Sequence, residues 1–356
     1  MPKTAAKFNV YETVTETIVN AVKAGTLPWQ KPWTCGAGLA LPLRGCGTPY
    51  RGINVILLWC AAQAAGYASP RWMTYRQAQT LGGQVRKGER STTIVKYGSF
   101  EVAEEGAGQR RPQTDAAGSS RDPETRMYAR AYRVFNVAQI DGLDPHYYAS
   151  VDAPRDLGTK RDAELDAWFA RLGIVIRETA EPRAYYRPSS DDIHMPDIAT
   201  FKSTAAFYSV LGHEGAHAVA NSRRLDLEFA AQEKAGAYAL EEVYAQLTSA
   251  MICAHLGIAS QTEMDAAYIK HWLDVCGSGS RAIFGLASKA QAATDWMLTR
   301  AGSATISSTD TTLIEVSKAF SGNNESRGVA IAFEPQVRGS ECGLIRARKR
   351  SKEKAA

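Results

Sequence analysis

His213-Glu214-Gly215-Ala216-His217 is a His-Glu-x-x-His run. On an α-helix, residues four apart lie one turn from each other on one face, so both imidazoles can bind a single cation. Glu214 leans toward the same face and can reach a water on that cation. Two neutral imidazoles holding a metal, with a carboxylate to take the water's proton, are the working parts of a zinc hydrolase. Zn²⁺, or another divalent ion such as Mn²⁺, is therefore the expected cofactor, and Glu214 the expected general base. The chemistry requires a helix. Phe207, Val210, Leu211 and Val219 supply apolar positions around the motif, and no proline interrupts residues 201–221.

A third ligand should lie downstream. Glu241 and Glu242 sit near the start of a long, mostly apolar helix predicted over residues 238–253. The interval from His217 leaves room for a loop and a return helix. A Glu against a core face is costly unless it is paired or metal-bound. The alternative is that both are solvated residues of a first turn, favoured there by the helix dipole. Glu242 is expected as the ligand over Glu241, because Gln246, four positions on, could orient a ligating histidine. His194 precedes Met195-Pro196 on an extended piece and is not expected as a ligand. Residues 185–196 read as two extended pieces around a turn, and a strand beside the motif helix could hold an extended peptide.

The rest of the chain must position these groups. Its 356 residues suggest two domains plus tails. Hydrophobic and charged contents of 45% and 22% are ordinary for a globular protein. Cysteines at 35, 46, 60, 253, 276 and 342 form no Cys-x-x-Cys pair, so reduced thiols in a cytoplasmic protein are expected. Residues 1–10 are polar and no apolar run reaches a membrane-spanning length, so neither a signal peptide nor a membrane partner is expected. The net charge of +5 hides an asymmetry: +9 over residues 1–100, −9 over 101–337 and +5 over 338–356. The expected class is α+β. A basic, mixed α/β domain over 1–145 carries a polar mobile loop at about 104–126. A linker over 146–160 leads to a mostly helical metal-site domain over 161–302 and a poorly structured basic tail over 303–356.

Helical periodicity covers residues 8–24 and 55–65, and a short helix is predicted within 70–78. Strands over 92–97 and 128–136 should pair across the polar loop. In the second half, a helix over 163–172, a strand over 174–176 and two helices within 264–300 are predicted. Cations and rings interleave in the basic domain: Lys31 beside Trp33, Tyr50 beside Arg51, and Arg71 and Arg76 around Trp72, with Arg86, Lys87, Arg90 and Lys96 following. Single-stranded DNA needs this mixture. Cations follow the phosphates, and rings stack on unpaired bases for roughly 1–3 kcal/mol each. The competing reading makes the tryptophans core and the charges merely solvating. Trp59 is assigned to the core; Trp29, Trp33 and Trp72 stay open.

These stretches together resemble a known family. Ala24-Gly25-Thr26-Leu27-Pro28-Trp29-Gln30-Lys31-Pro32-Trp33, Pro49-Tyr50-Arg51-Gly52-Ile53-Asn54, Arg71-Trp72-Met73-Thr74-Tyr75-Arg76 and Val85-Arg86-Lys87-Gly88-Glu89 are similar to the N-terminal domain of the ArdC antirestriction family. Residues 164–298, with Arg281-Ala282-Ile283-Phe284, resemble its zincin-like metallopeptidase domain. The resemblance implies a protein of conjugative plasmids and mobile elements that binds single-stranded DNA and protects entering DNA from host restriction. A protein of the restriction system is then a candidate substrate. Two departures stand out: Gly215 replaces a bulky residue, and Gln246 replaces a Glu. The alternative is a DNA-binding accessory protein whose zincin domain is an inactive scaffold. A plasmid-primase fragment is a weaker third reading, because no polymerase-type carboxylate cluster accompanies the first domain.

Overall fold

The structure is a computed structural model that describes residues 9–23, 40–101, 125–150, 158, 160–229, 234–260, 272–273, 277 and 281–302. Lys31, Trp33, nearly all of the expected loop and the whole of the tail lie outside the described residues.

The first half is built on helix α1 (Val10–Lys23), which buries Val10, Val14, Ile18 and Val22 as one stripe. Helix α2 (Ile53–Ala65) is apolar all round and correspondingly buried. A sheet of four strands lies beside them, in the order β1 (Leu43–Arg44), β2 (Arg71–Met73), β5 (Thr125–Asn136), β4 (Thr92–Glu101). β4 and β5 form one long antiparallel ladder, from Thr92 opposite Val134 to Glu101 opposite Thr125. The predicted strands are present and longer than expected. Residues 70–78 divide instead into β2 and a six-residue helix, α3 (Tyr75–Thr80). The divide is Thr74, whose hydroxyl accepts from the Gln77 N–H while the Gln77 side chain reaches back to the Thr74 N–H. A small ribbon of β3 (Gln84–Val85) and β6 (Ile140–Asp141) completes this half.

The second half opens with α4 (Ala163–Ala170), capped by Asp162, whose carboxylate accepts from the Glu164 and Leu165 N–H groups. A three-stranded sheet follows in the order β7 (Val175–Thr179), β9 (Asp192–Pro196), β8 (Tyr185–Arg187). β9 is buried at every position, as a central strand should be. β8 is left on the edge. Three long helices follow, α5 (Thr204–Ala220), α6 (Lys234–Leu256) and α7 (Ala282–Ala301); α5 packs on this sheet, and the three pack on each other.

One hydrophobic cluster includes Val14, Ile18 and Ile56 from the first half with Leu211, Tyr244 and Leu286 from the second. The two halves thus share one core; residues 151–157 and 159 of the linker expected at 146–160 lie outside the described residues. α7 makes the join: Phe284 meets the Tyr11 ring edge to face at 4.8 Å, Gln291 accepts from the Gly52 N–H at 2.9 Å, and Asp295 pairs with Arg51. Among the described residues no helix is long and apolar enough to cross a membrane.

Candidate metal centre and nucleic-acid surface

α5 and α6 run antiparallel and very close, and small residues make this possible. Ser249 Oγ donates to the Ser209 carbonyl at 2.7 Å, and Tyr244 Oη donates to the Ala216 carbonyl at 3.0 Å. A Cβ at Gly212 would lie only 3.4 Å from Ser249 Oγ. The close approach brings the Glu241-Glu242 turn of α6 against the histidine face of α5.

His213 Nε2 and His217 Nε2 converge to 3.2 Å. The Glu242 carboxylate lies 3.3 Å from His213 Nε2 and 3.6 Å from His217 Nε2. One donor atom from each of the three residues lies within 4.8 Å of the others. Two imidazole nitrogens and a carboxylate oxygen so gathered suit a divalent metal with a fourth position open. Glu242, and not Glu241, is the carboxylate that converges with both Nε2 atoms.

Glu241 has a different position that the sequence reading did not assign. Its Oε1 lies 2.9 Å from His217 Nδ1. An Nδ1–H donated to that carboxylate leaves the Nε2 lone pair aimed at the metal position. Burial alone would lower the His217 pKa, but the Glu241 hydrogen bond and the charges of Glu214, Glu242 and Glu241 raise it. Burial would likewise raise Glu242, yet its bond to His213, the imidazole charges and the Tyr238 phenol bring it down to about 2. Tyr238 is 58% exposed at the mouth of this cluster. Burial and the Glu242 charge push its phenol up to about 12, so it stays protonated and donates to Glu242. Tyr238 was also missed, although it stands one helical turn before Glu242. His213 has no equivalent of Glu241: its buried Nδ1 has no partner among the described residues, and neither does the buried Gln246 Oε1.

Glu214 is buried, and its Oε2 accepts from the Tyr186 N–H of β8 at 2.9 Å. The edge strand thus fixes the carboxylate. That strand is secured in turn by Asp191, which takes the Tyr186 hydroxyl and both terminal nitrogens of Arg224. His194 sits on β9 in a cluster with Asp192 and Arg187, stacked on the Tyr185 ring with centroids 4.6 Å apart.

The candidate DNA residues divide. Trp72 is 1% exposed and Tyr50 6%, both in a core cluster with Leu58 and Val134, so neither ring is open to a base. Trp72, on β2, is covered by Leu58 of α2 and by the Tyr67 ring, which meets it edge to face at 5.7 Å. Arg51 is engaged by Asp295, and Arg86 by Glu89, Asp141 and the Ala138 carbonyl. Arg71 is half-buried, while Arg76, Lys87, Arg90 and Lys96 are exposed. Lys96 faces Arg130 across the ladder, with the exposed Tyr132 on the same strand. Arg130 and Arg133, on the same strand, were not among the expected residues because that strand reads as ordinary alternation.

Comparison with known proteins agrees with both halves. Residues 8–135 match the N-terminal domain of anti-restriction factor ArdC, and residues 163–289 match a zincin-like metallopeptidase family. The chain is 40% identical over 295 residues to y4eC, an uncharacterised protein of Sinorhizobium fredii, covering 81% of this chain and 91% of that one. It is 35% identical over 304 residues to the DNA primase TraC of Escherichia coli, covering 81% of this chain but only 27% of that protein. The crystal structure of metal-free antirestriction protein ArdC from plasmid R388 is 44% identical with a TM-score of 0.71, covering 83% of this chain and 98% of that one. The Mn(II)-bound structure of the same protein has a TM-score of 0.68 at 42% identity, covering 83% of this chain and 99% of that one. With an ArdC N-terminal domain followed by a zincin-like domain, the chain belongs to the ArdC antirestriction family.

Proposed function

We propose that this protein is a cytoplasmic antirestriction factor of a plasmid or mobile element. It binds single-stranded DNA through its first half and hydrolyses peptide bonds through its second, and a protein of the host restriction system is its substrate. The observation that carries the peptidase reading is the convergence of His213, His217 and Glu242 within 4.8 Å beside a fixed Glu214.

His213, His217 and Glu242 would hold Zn²⁺ or Mn²⁺; a Mn(II)-bound structure of the ArdC relative supports the latter. Such an ion, when bound, supplies Lewis acidity to a water and to the scissile carbonyl. The chain's own groups do the rest. Glu214, with one oxygen held by the Tyr186 N–H, keeps its other oxygen to take the attacking water's proton and pass it to the leaving amine. β8 lies on the edge of its sheet, where main-chain groups other than the Tyr186 N–H held by Glu214 could pair with an extended peptide. The Tyr238 phenol donates to Glu242 and so steadies that carboxylate.

The test is metal content and cleavage in full-length protein. Glu214→Ala removes the base but no ligand, so metal stays and peptide cleavage collapses. His213→Ala releases the metal. Metal lost from Glu214→Ala would make that residue a ligand and break the mechanism. The lack of a partner for His213 Nδ1 among the described residues favours a second reading, in which a weakly loaded zincin half is a scaffold and protection rests on DNA binding. Metal-loaded wild type without peptidase activity would select it.

A further inference from the structure

Between α3 and the turn after β3 lies a groove of about 480 Å³. That is within the ~300–1,000 Å³ span of small-ligand clefts. Two rings line it: the half-buried Phe135 of β5 and Tyr75, which is 43% exposed. They meet edge to face with centroids 6.5 Å apart. Gln84 Nε2 donates to the Tyr75 hydroxyl at 3.1 Å, so the exposed ring is tethered in one orientation.

The charges around this floor fall into two sets. Arg86 is consumed by the wall, bonded to Glu89 at 2.6 Å, Asp141 at 3.2 Å and the Ala138 carbonyl at 2.8 Å. Lys87 is different. It stands exposed on the turn, next to Gly88 with φ 90°, and no described acidic side chain pairs with it. Arg133 lies two residues before Phe135, hence on the same face of β5, and is also exposed and unpaired among the described residues.

An apolar ligand would leave these cations unused, and a lone phosphate would leave the ring unused. A nucleotide within a single strand uses both. A base inside a duplex keeps both faces against its neighbours and offers none to Tyr75. We infer that this groove seats one unpaired base of single-stranded DNA, stacked on Tyr75, with the flanking phosphates on Lys87 and Arg133. Asp141 lines the same groove, so the base edge and not the backbone faces it, and an exocyclic amine there has an acceptor. The inference rests on the single-stranded-DNA reading and gives it a place.

The test uses the full chain and a short oligonucleotide carrying one 2-aminopurine. Tyr75→Ala should weaken binding about ten-fold or more, the worth of one stacked base, and abolish the quenching of the probe. Tyr75→Trp should restore both. Tyr132→Ala, on the β4–β5 ladder, should bind like wild type. The melting temperature of each variant checks that the fold is intact. Wild-type binding with no effect of Tyr75→Ala, or a loss confined to Tyr132→Ala, overturns the assignment. Failure of wild type to bind the oligonucleotide overturns the single-stranded-DNA reading instead.

Discussion

The two histidines are supported unequally. His217 has a carboxylate behind it, whereas His213 Nδ1 and Gln246 Oε1 are both buried without partners among the described residues. A partner behind a ligating imidazole fixes its tautomer and raises its basicity, and losing one typically costs 10–100-fold in metal affinity. Glu241→Ala should therefore weaken metal binding by roughly that factor without abolishing it. Gln246→Glu should tighten it, by offering the unpartnered His213 Nδ1–H a charged acceptor. Chelator competition measures both; an unchanged affinity in either variant refutes the account for that histidine. The convergence of His213, His217 and Glu242 was legible because a one-turn spacing and a return helix constrain them. Glu241 was not, because adjacent carboxylates on a helix point differently only once the partner helix is placed. Nor was the burial of Trp72, since a ring beside arginines reads alike on a surface and in a central strand.

At the scale of elements, the helix that carries the motif is shaped by what packs on it. An added Cβ at Gly215 would stand 3.0 Å from Met297 Cε of α7, and Met297 is fully buried. Met297 thus fills the space that a bulky residue at 215 would take, which accounts for a glycine inside a helix where it costs ~1 kcal/mol. Gly215→Leu should destabilise the protein by about 1–3 kcal/mol through overpacking. Gly215→Leu with Met297→Ala should recover part of it; in urea titrations, additive losses would show that the two sites do not share a space. The turn between β8 and β9 is a second case. Asp191 has φ 55°, a left-handed conformation that Asn and Asp tolerate. The Arg224 bond, the Tyr186 hydroxyl and nearby arginine charges hold its pKa below the usual carboxylate value, against the effect of burial. A carboxylate lowered on folding contributes stability above its unfolded value of ~3.9, lost as pH falls through the lower native value. Asp191→Asn keeps the backbone conformation and removes the charge. Its stability deficit at pH 7 should narrow as pH falls below about 4; a deficit constant with pH would place the effect elsewhere. Element types were largely legible from periodicity. The split of residues 70–78 was not drawn, although Thr74 and Gln77 already carry the spacing of a capping box.

For the molecule as a whole, the charge asymmetry and the order of motifs gave the sequence the look of two separable bodies, 1–145 and 161–302. The core runs through both, and α7 serves each: Met297 faces the motif helix while Phe284 touches Tyr11 and Tyr97. Charge is a property of surfaces, so a change of sign along the chain says nothing of whether the apolar faces beneath are shared. The shared core has a thermodynamic consequence. A ligand that binds only the native state stabilises whatever unfolds with its site, by about 2.7 kcal/mol at a hundred times its Kd. Metal at His213, His217 and Glu242 should therefore raise the melting temperature of the first half as well as the second. Calorimetry of the full chain should show one main transition that a chelator moves down as a unit. Phe284→Ala, which removes a ring packed between the halves, should cost about 3–5 kcal/mol and lower that same transition. Two transitions, with only one answering to chelator, would show that the halves unfold independently and that the contacts through α7 join them without coupling them.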